Sequence, residues 1–131
     1  MLDPTKALMC VKHDYAPDDA TKMDGQVQSQ YSRKNWSSFM IFNNAHPKNT
    51  KLCPQYINSL PGRDLHAFCW LDDDDIGALP EKWNWLEGHS DGNIKPSAVH
   101  FTRGTPDMPG YEEIPYAQEW WHALENVNMV R

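Results

Sequence analysis

The sequence lacks the basic surplus and the long apolar runs that nucleic-acid or membrane binding would require. Its 131 residues include 12 Lys and Arg against 18 Asp and Glu, a formal net charge of −6 at pH 7. Nucleic-acid backbones and anionic membrane surfaces both attract basic proteins. The longest strongly apolar runs, Ala7–Val11 and Phe39–Phe42, are too short to cross a bilayer. We therefore expect no nucleic-acid partner and no membrane span.

Cysteine is also scarce. The three cysteines, Cys10, Cys53 and Cys69, are odd in number and show no CxxC spacing, and no Cys/His pattern of a structural zinc site is present. Charged Asp3 and Lys6 lie where the apolar part of a signal peptide would begin. These features predict reduced thiols and a cytoplasmic protein.

Several familiar catalytic signatures are missing as well. The chain has no G-x-S-x-G elbow, no Walker-type phosphate loop, no internal repeat and no low-complexity segment. Aromatic residues are plentiful, since six Trp, five Tyr and four Phe supply a large apolar surface for a core. The length is that of one domain, and we treat residues 1–131 as one. The pairs Trp83/Trp85 and Trp120/Trp121 could stack on sugar rings, and at most one member of each pair should face solvent.

The order of apolar runs and turn residues predicts a mixed α/β fold. Proline and glycine positions predict a helix from Pro54 to Leu60, a further turn capped by Asp64, and a helix that Pro80 ends after Leu79. The clearest helix runs from Pro115 to about Val127. Residues 13–35 form a long polar stretch, and a loop of that length is usually functional or mobile. The predicted strands are Ala7–Val11, Phe39–Phe42, Trp83–Leu86 and Ala98–Phe101.

Three short segments carry residues suited to chemistry. Asp72–Asp75 is either a solvated helix start or the edge of a pocket, where carboxylates could bind sugar hydroxyls, a divalent cation or a developing positive charge. His100 ends a short strand before a Gly/Pro-rich loop, and His13-Asp14 follows the first strand. Each histidine is either a structural group or a ligand.

Five segments in order resemble one enzyme family. They are "ALMCVKHDY", "YSRKNWSSFMIFNNAHP", "FCWLDDDDIGALPEKWNWL", "AVHFTRGTP" and "YAQEWWHAL". Together they resemble the carboxy-terminal half of bacterial and phage glycosyltransferases with a GT-A fold, related to the retaining family 8 enzymes. The resemblance covers the chain from about Ala7 to Leu124. It implies an incomplete GT-A-like mixed sheet of about four short strands with flanking helices.

The resemblance also implies roles for individual residues. Asn35 and Ser37 correspond to a segment beside the donor sugar, and Asp73 and Asp74 correspond to catalytic carboxylates near the anomeric carbon. His100 corresponds to a ligand of Mn²⁺ or another divalent cation. The remaining donor contacts are implied for Asp75 and Gly104.

The family's Asp-x-Asp metal motif has no equivalent in this chain, so the implied metal site is half built. The resemblance implies metal-dependent transfer of a sugar from a nucleotide-sugar to a hydroxyl acceptor, with a homo-oligomer or a complementary amino-terminal half completing the site. The alternatives are a non-catalytic carbohydrate- or nucleotide-sugar-binding module and a structural remnant, for example in a virion.

Overall fold

The computed structural model describes residues 2–14 and 32–128. Most of the long polar stretch that the sequence predicts, residues 15–31, lies outside the described part. The strands are β1 (Leu8–Cys10), β2 (Met40–Phe42), β3 (Ile76–Ala78), β4 (Trp85–Leu86) and β5 (Val99–His100), and the helices are α1 (Pro54–Ser59), α2 (Gly62–His66) and α3 (Ala117–Asn128). The mixed α/β class is confirmed.

The larger sheet has three strands in the order β2-β1-β3. β2 is antiparallel to β1 and places Phe42 opposite Leu8. β3 is parallel to β1 and places Ile76 opposite Leu8. All three residues of the central strand are buried, and this explains why the sequence of β1 is continuously apolar.

One face of this sheet carries the core. Leu8 and Cys10 alternate with Met9, so they lie on the same face, and Ile76 joins them from β3. The segment after α2 packs against this face through Phe68, whose ring meets Trp70 edge-on at 5.8 Å between centroids. The buried cluster comprises Ala7, Leu8, Cys10, Phe68, Trp70, Leu71 and Ile76.

The second sheet contains β4 and β5, which are parallel and pair with each other. The expectation of one sheet with about four strands is therefore wrong, because the described part contains five strands divided between two sheets. The prediction that at most one of Trp83 and Trp85 faces solvent is confirmed. Trp83 is 40% exposed, whereas Trp85 is 4% exposed and donates its indole N–H to the Asp91 carbonyl.

Two local predictions are corrected. The helix expected before Pro80 is instead strand β3, because pairing with β1 buries Ile76 in the core. Asp64 is not a helix cap, since Pro61 occupies that position of α2 and Asp64 lies in the first turn. The carboxylate there still favours the helix dipole.

The carboxy-terminal helix forms where the sequence predicts it, within two residues at its start. Tyr116 precedes it with φ of 67°, and α3 begins at Ala117. Trp121, Leu124 and Val127 are exposed on this helix. No helix in the described residues is long and apolar enough to span a membrane.

Candidate functional site

A polar cleft of about 460 Å³ lies at the carboxyl ends of β1 and β3. Side chains that leave two parallel strands at the same edge converge there, which is where α/β sheets commonly bind ligands. The cleft combines basic and acidic groups with hydrogen-bonding side chains. Its lining residues are Val11, Lys12, His13, Asp14, Ala78, Leu79, Glu81, His89, Ser90 and Asp91.

His13 is the residue in this cleft with the most distinctive chemistry. Burial lowers the pKa of its imidazole below the ordinary value, and electrostatic interaction with the His100 and His89 side chains acts in the same direction. Glu81 and a hydrogen bond to the Asn84 backbone oppose that change in pKa. Burial is the largest of these causes, so the ring is neutral at physiological pH.

The Nε2 atom of His13 is buried and has no hydrogen-bond partner in the described part of the chain. In the neutral ring one nitrogen carries a proton and the other a lone pair, so Nε2 can donate a hydrogen bond to a ligand or accept one from it, depending on the tautomer. A buried polar atom without a partner is costly, by about 1–3 kcal/mol. It is relieved when a ligand or a water supplies the missing bond.

Asn84 connects the cleft to the segment that precedes β2. Its side chain is 3% exposed and donates to the Asn35 carbonyl at 3.3 Å and to the Ser38 hydroxyl at 2.8 Å. The Trp36 indole donates to the His13 carbonyl at 2.8 Å. These bonds fix the position of His13 relative to a segment more than twenty residues away.

The predicted donor-binding residues Asn35 and Ser37 lie in this same segment. Asn35 has φ of 63°, in the left-handed region, and its amide nitrogen is buried without a hydrogen-bond partner in the described residues. Such backbone conformations are uncommon outside glycine and concentrate at functional sites. Ser37 forms a 2.7 Å hydrogen bond with His66 Nδ1, so its hydroxyl is engaged within the fold.

The predicted catalytic aspartates form ion pairs or lie exposed at the amino end of β3. Asp73 accepts a 2.6 Å bond from Arg33, whose guanidinium also binds the Ala67, Phe68 and Leu71 carbonyls. The backbone carbonyl of Asp74 accepts a bond from Lys6, and its side chain is exposed. None of the aspartates of this turn lines the described cleft.

Asp75 has a clear structural role. Lys48 pairs with it at 2.5 Å and with Asp72 at 2.7 Å. The Asp75 carboxylate also accepts the Asp72 backbone N–H, which completes a capping box. Lys48 lowers the pKa of the Asp75 carboxyl, and the two aspartates raise the pKa of Lys48. The acidic run is thus partly explained as the stabilised start of β3.

His100 and Gly104 lie at the end of the second sheet and in the loop after it. His100 is the last residue of β5 and is close enough to influence the pKa of His13. Gly104 is buried, and a Cβ there would lie 3.0 Å from Met108 Sδ. The absence of a side chain is therefore explained by packing of the loop.

The described residues do not form a complete metal site. In residues 2–14 and 32–128, no group of three or more His, Cys, Asp or Glu side chains is arranged to hold an ion. His100 lies near enough to His13 to affect its pKa, but it is not part of such a group. The Mn²⁺ site that the resemblance implied, half built with His100 as its ligand, stays a prediction.

His13 was predictable from the sequence as a candidate site residue, but the residues that surround it in the fold were not. The signal was its position directly after a buried strand. Glu81, His89 and Asp91 were not identified, because nothing in their local sequence indicates that the fold brings them to the end of β1.

Comparison with known proteins gives one informative relative. The chain is 45% identical over 133 residues to Protein CDI of Arabidopsis thaliana. The alignment covers 98% of this chain and 51% of that protein, so the chain spans about half the length of the curated relative it matches. No family model matches the chain. No solved structure matches it either.

This relative corrects the resemblance drawn from the sequence. The match is to a plant protein, not to a bacterial or phage glycosyltransferase. The assignment to those enzymes is therefore wrong. Its five segments are individually short, and apolar strands followed by polar residues recur in many α/β proteins.

Proposed function

We propose that the chain binds a nucleotide-sugar in the cleft at the ends of β1 and β3, and that it takes part in metal-dependent transfer of the sugar to a hydroxyl acceptor. The observation that carries the proposal is the neutral, half-buried His13, whose Nε2 lacks a hydrogen-bond partner in the described residues beside a polar cleft. A ligand rich in hydroxyl groups would supply that bond.

The composition of the cleft supports a ligand of this class. Lys12 can attract phosphate groups, while carboxylates of Asp14, Glu81 and Asp91 accept bonds from hydroxyls. A ligand with both phosphates and a sugar ring would use both kinds of group. A purely anionic ligand fits less well, because the same cleft contains three carboxylates.

The transfer itself has a simple balance. The acceptor oxygen forms a bond to the anomeric carbon, the bond from that carbon to the diphosphate oxygen breaks, and the hydroxyl proton is released. Carboxylates near the anomeric carbon would stabilise its developing positive charge. In this proposal the cleft carboxylates of Asp14, Glu81 and Asp91 have that role. The roles that the resemblance implied for Asp73, Asp74, Asn35, Ser37, Asp75 and Gly104, which do not line the cleft, and for His100 as a metal ligand remain predictions.

Metal dependence requires groups beyond those described. Since the described residues hold no three-ligand group, the proposal assigns the further ligands to residues outside the described part or to another chain. The matched relative is about twice as long as this chain, so a complementary half in a longer protein is one arrangement that would complete the site. A homo-oligomer is the other arrangement that would complete the site.

The same proposal extends to the fold and the compartment. We infer that the three-stranded sheet is part of a larger GT-A-like mixed sheet, and that residues 1–131 are one domain of it. The three free cysteines agree with a cytoplasmic protein. A nucleic-acid partner is not part of the proposal, because the net charge is −6.

A non-catalytic binding module is the second candidate. It is favoured by the ion pairs of Asp73 and Asp75, because carboxylates engaged with Arg33 and Lys48 are less available to a sugar. In that case the cleft binds a carbohydrate or nucleotide-sugar without transfer.

Calorimetric titration of UDP-glucose and UDP-galactose, with and without Mn²⁺, tests the proposal. His13→Gln and His100→Ala are the informative variants, and His122→Gln, on an exposed position of α3, is the matched control. We expect binding that weakens by several-fold to about tenfold in His13→Gln, since one hydrogen bond contributes about 0.5–1.5 kcal/mol.

The comparison of titrations with and without Mn²⁺ distinguishes the two candidate functions. Binding that requires Mn²⁺ and is lost in His100→Ala supports transfer. Binding indifferent to Mn²⁺ supports the non-catalytic module. Absence of binding by either nucleotide-sugar under both conditions would contradict both.

A further inference from the structure

The turn Glu81–Trp83 has an exposed aromatic surface next to the cleft. Trp83 is 40% exposed, and its ring lies 6.3 Å from that of Phe39 with 19° between the planes. Phe39 is half-buried and backs the indole. Trp83 thus presents a flat apolar surface to solvent.

The fold positions this surface firmly. The Trp83 backbone N–H donates to the Pro80 carbonyl at 3.1 Å, and that of Asn84 donates to the Glu81 carbonyl at 2.9 Å. The Lys82 carbonyl accepts bonds from the N–H groups of Ser97 and Ala98. The indole is therefore attached to a turn with a defined backbone.

The surface is continuous with the cleft through a single turn. Glu81 lines the cleft, Trp83 faces solvent two residues later, and Asn84 is buried against His13. The turn that carries Trp83 therefore also contributes a side chain to the cleft.

Polar groups border the aromatic surface. The ammonium of the exposed Lys82 side chain lies over the Trp83 ring, 5.5 Å from its centroid, and Glu81 belongs to the same turn. A sugar ring has an apolar C–H face and hydroxyls at its rim, so it could replace the Lys82 ammonium on the indole while its hydroxyls bond to the donor and acceptor groups of this turn.

We propose that Trp83, backed by Phe39, is a stacking platform for a sugar ring of the hydroxyl acceptor, distinct from the cleft that takes the nucleotide-sugar. The assignment to the acceptor rests on the proposed function, because the platform lies beside the cleft and Trp83 does not line it. The chemistry of recognition, a carbohydrate on an exposed indole, depends only on the platform.

Nuclear magnetic resonance of the tryptophan indole N–H groups provides the test. The chain has six tryptophans, so Trp83→Phe identifies the Trp83 signal by its loss. The probes are methyl β-glucoside, methyl β-galactoside and cellobiose, with glycerol as a polyol that has no ring. Trp121, which is 41% exposed on α3, is the matched control.

We expect at least one glycoside to shift the Trp83 signal in a saturable manner and glycerol to leave it unchanged. Trp83→Ala should weaken the binding of that glycoside by several-fold to about tenfold, the effect of losing one aromatic contact. Trp83→Phe should retain most of the affinity, and Trp121→Ala should retain all of it. The Phe variant also guards against misfolding, because it preserves the ring beside Phe39.

Three results would overturn the platform. They are no glycoside shift at Trp83, equal weakening in Trp83→Ala and Trp121→Ala, or a Trp83 signal that moves with protein concentration alone, which would indicate contact between copies. Titrating UDP-glucose into the same samples distinguishes failure of the proposed function. Glycoside binding at Trp83 without nucleotide-sugar binding would contradict the proposed function and leave the platform standing.

Discussion

Cys10 lies in the central strand with its side chain fully buried, whereas Cys53 and Cys69 are exposed. Burial raises the pKa of the Cys10 thiol to about 11. The thiolate is the reactive form, so at pH 8 only on the order of one Cys10 in a thousand would be ionised. We predict that Cys53 and Cys69 react with iodoacetamide in the native protein and that Cys10 does not.

Mass spectrometry of the alkylated protein checks this outcome, with urea-unfolded protein as the control in which all three thiols react. Rapid labelling of Cys10 in the native protein would show that β1 opens readily. The core placement of this strand would then be incorrect.

At the same residue scale, the sequence predicted His13 as a candidate but not the groups that surround its imidazole. His13 was recognisable because polar residues that follow a buried strand often line sites. Its neutral state was not, because that depends on burial and on Glu81, His89 and His100, which lie far along the chain. Long-range proximity of this kind is set by the tertiary fold.

At the scale of the element, β3 depends on a glycine at its centre. A Cβ on Gly77 would lie 2.9 Å from Met9 Cγ and 3.0 Å from Lys6 Cγ, on the face opposite the core. We predict that Gly77→Ala lowers the free energy of unfolding by about 1–3 kcal/mol, the usual cost of overpacking. Urea denaturation measures the loss.

Gly92→Ala is the matched control for that substitution. A Cβ at Gly92 meets nothing within 4 Å, so the change should stay within about 0.5 kcal/mol. Equal stability of the two alanine variants would mean that β3 does not pack against Met9 as described.

The amino end of β3 should also make stability depend on pH. Lys48 holds the pKa of the Asp75 carboxyl below its ordinary value. The stabilisation that the ionised Asp75 carboxylate contributes to the fold is therefore complete above the pKa of an aspartate in the unfolded chain, about 3.9. It is lost as the pH falls through the lower pKa of Asp75 in the folded protein. We predict that Asp75→Asn lowers the melting temperature at pH 7, and that its difference from wild type shrinks below about pH 4.

Thermal unfolding followed by circular dichroism over this pH range measures that difference. Asp74→Asn, in the same turn, is the control and should melt close to wild type throughout. A gap between Asp75→Asn and wild type that persists unchanged in acid would show that the stabilisation does not come from the ionised carboxylate.

Elements were more predictable than their arrangement. β1, β2 and α1 follow from apolar runs and from proline at a helix start, signals that are local. The segment before Pro80 was ambiguous, because a short apolar run suits either a helix or a strand. Pairing with β1 decides it, and a partner nearly seventy residues away is not visible in local sequence.

At the scale of the whole molecule, edge strand β2 and its surroundings expose apolar surface. Leu2, Met40 and Phe42 are all exposed, and β2 is the outer strand of its sheet. Exposed edges with apolar side chains favour pairing with another chain. We predict that the protein self-associates, and that Phe42→Lys weakens this association.

Sedimentation velocity over a wide range of protein concentration measures the association. Val127→Lys, which replaces an exposed apolar residue on α3, is the control and should associate like wild type. A monomer at every concentration would contradict the prediction. Loss of association in Val127→Lys but not in Phe42→Lys would place the contact on α3 instead of β2.

We propose that the cleft at the ends of β1 and β3 binds a nucleotide-sugar. Chemical-shift mapping of backbone amides during a titration with UDP-glucose tests it most directly, because it reports where the ligand binds. We expect the largest changes at His13, Glu81, His89, Ser90 and Asp91, which line the cleft. Saturable changes confined to other surfaces, or no changes at all, would contradict it.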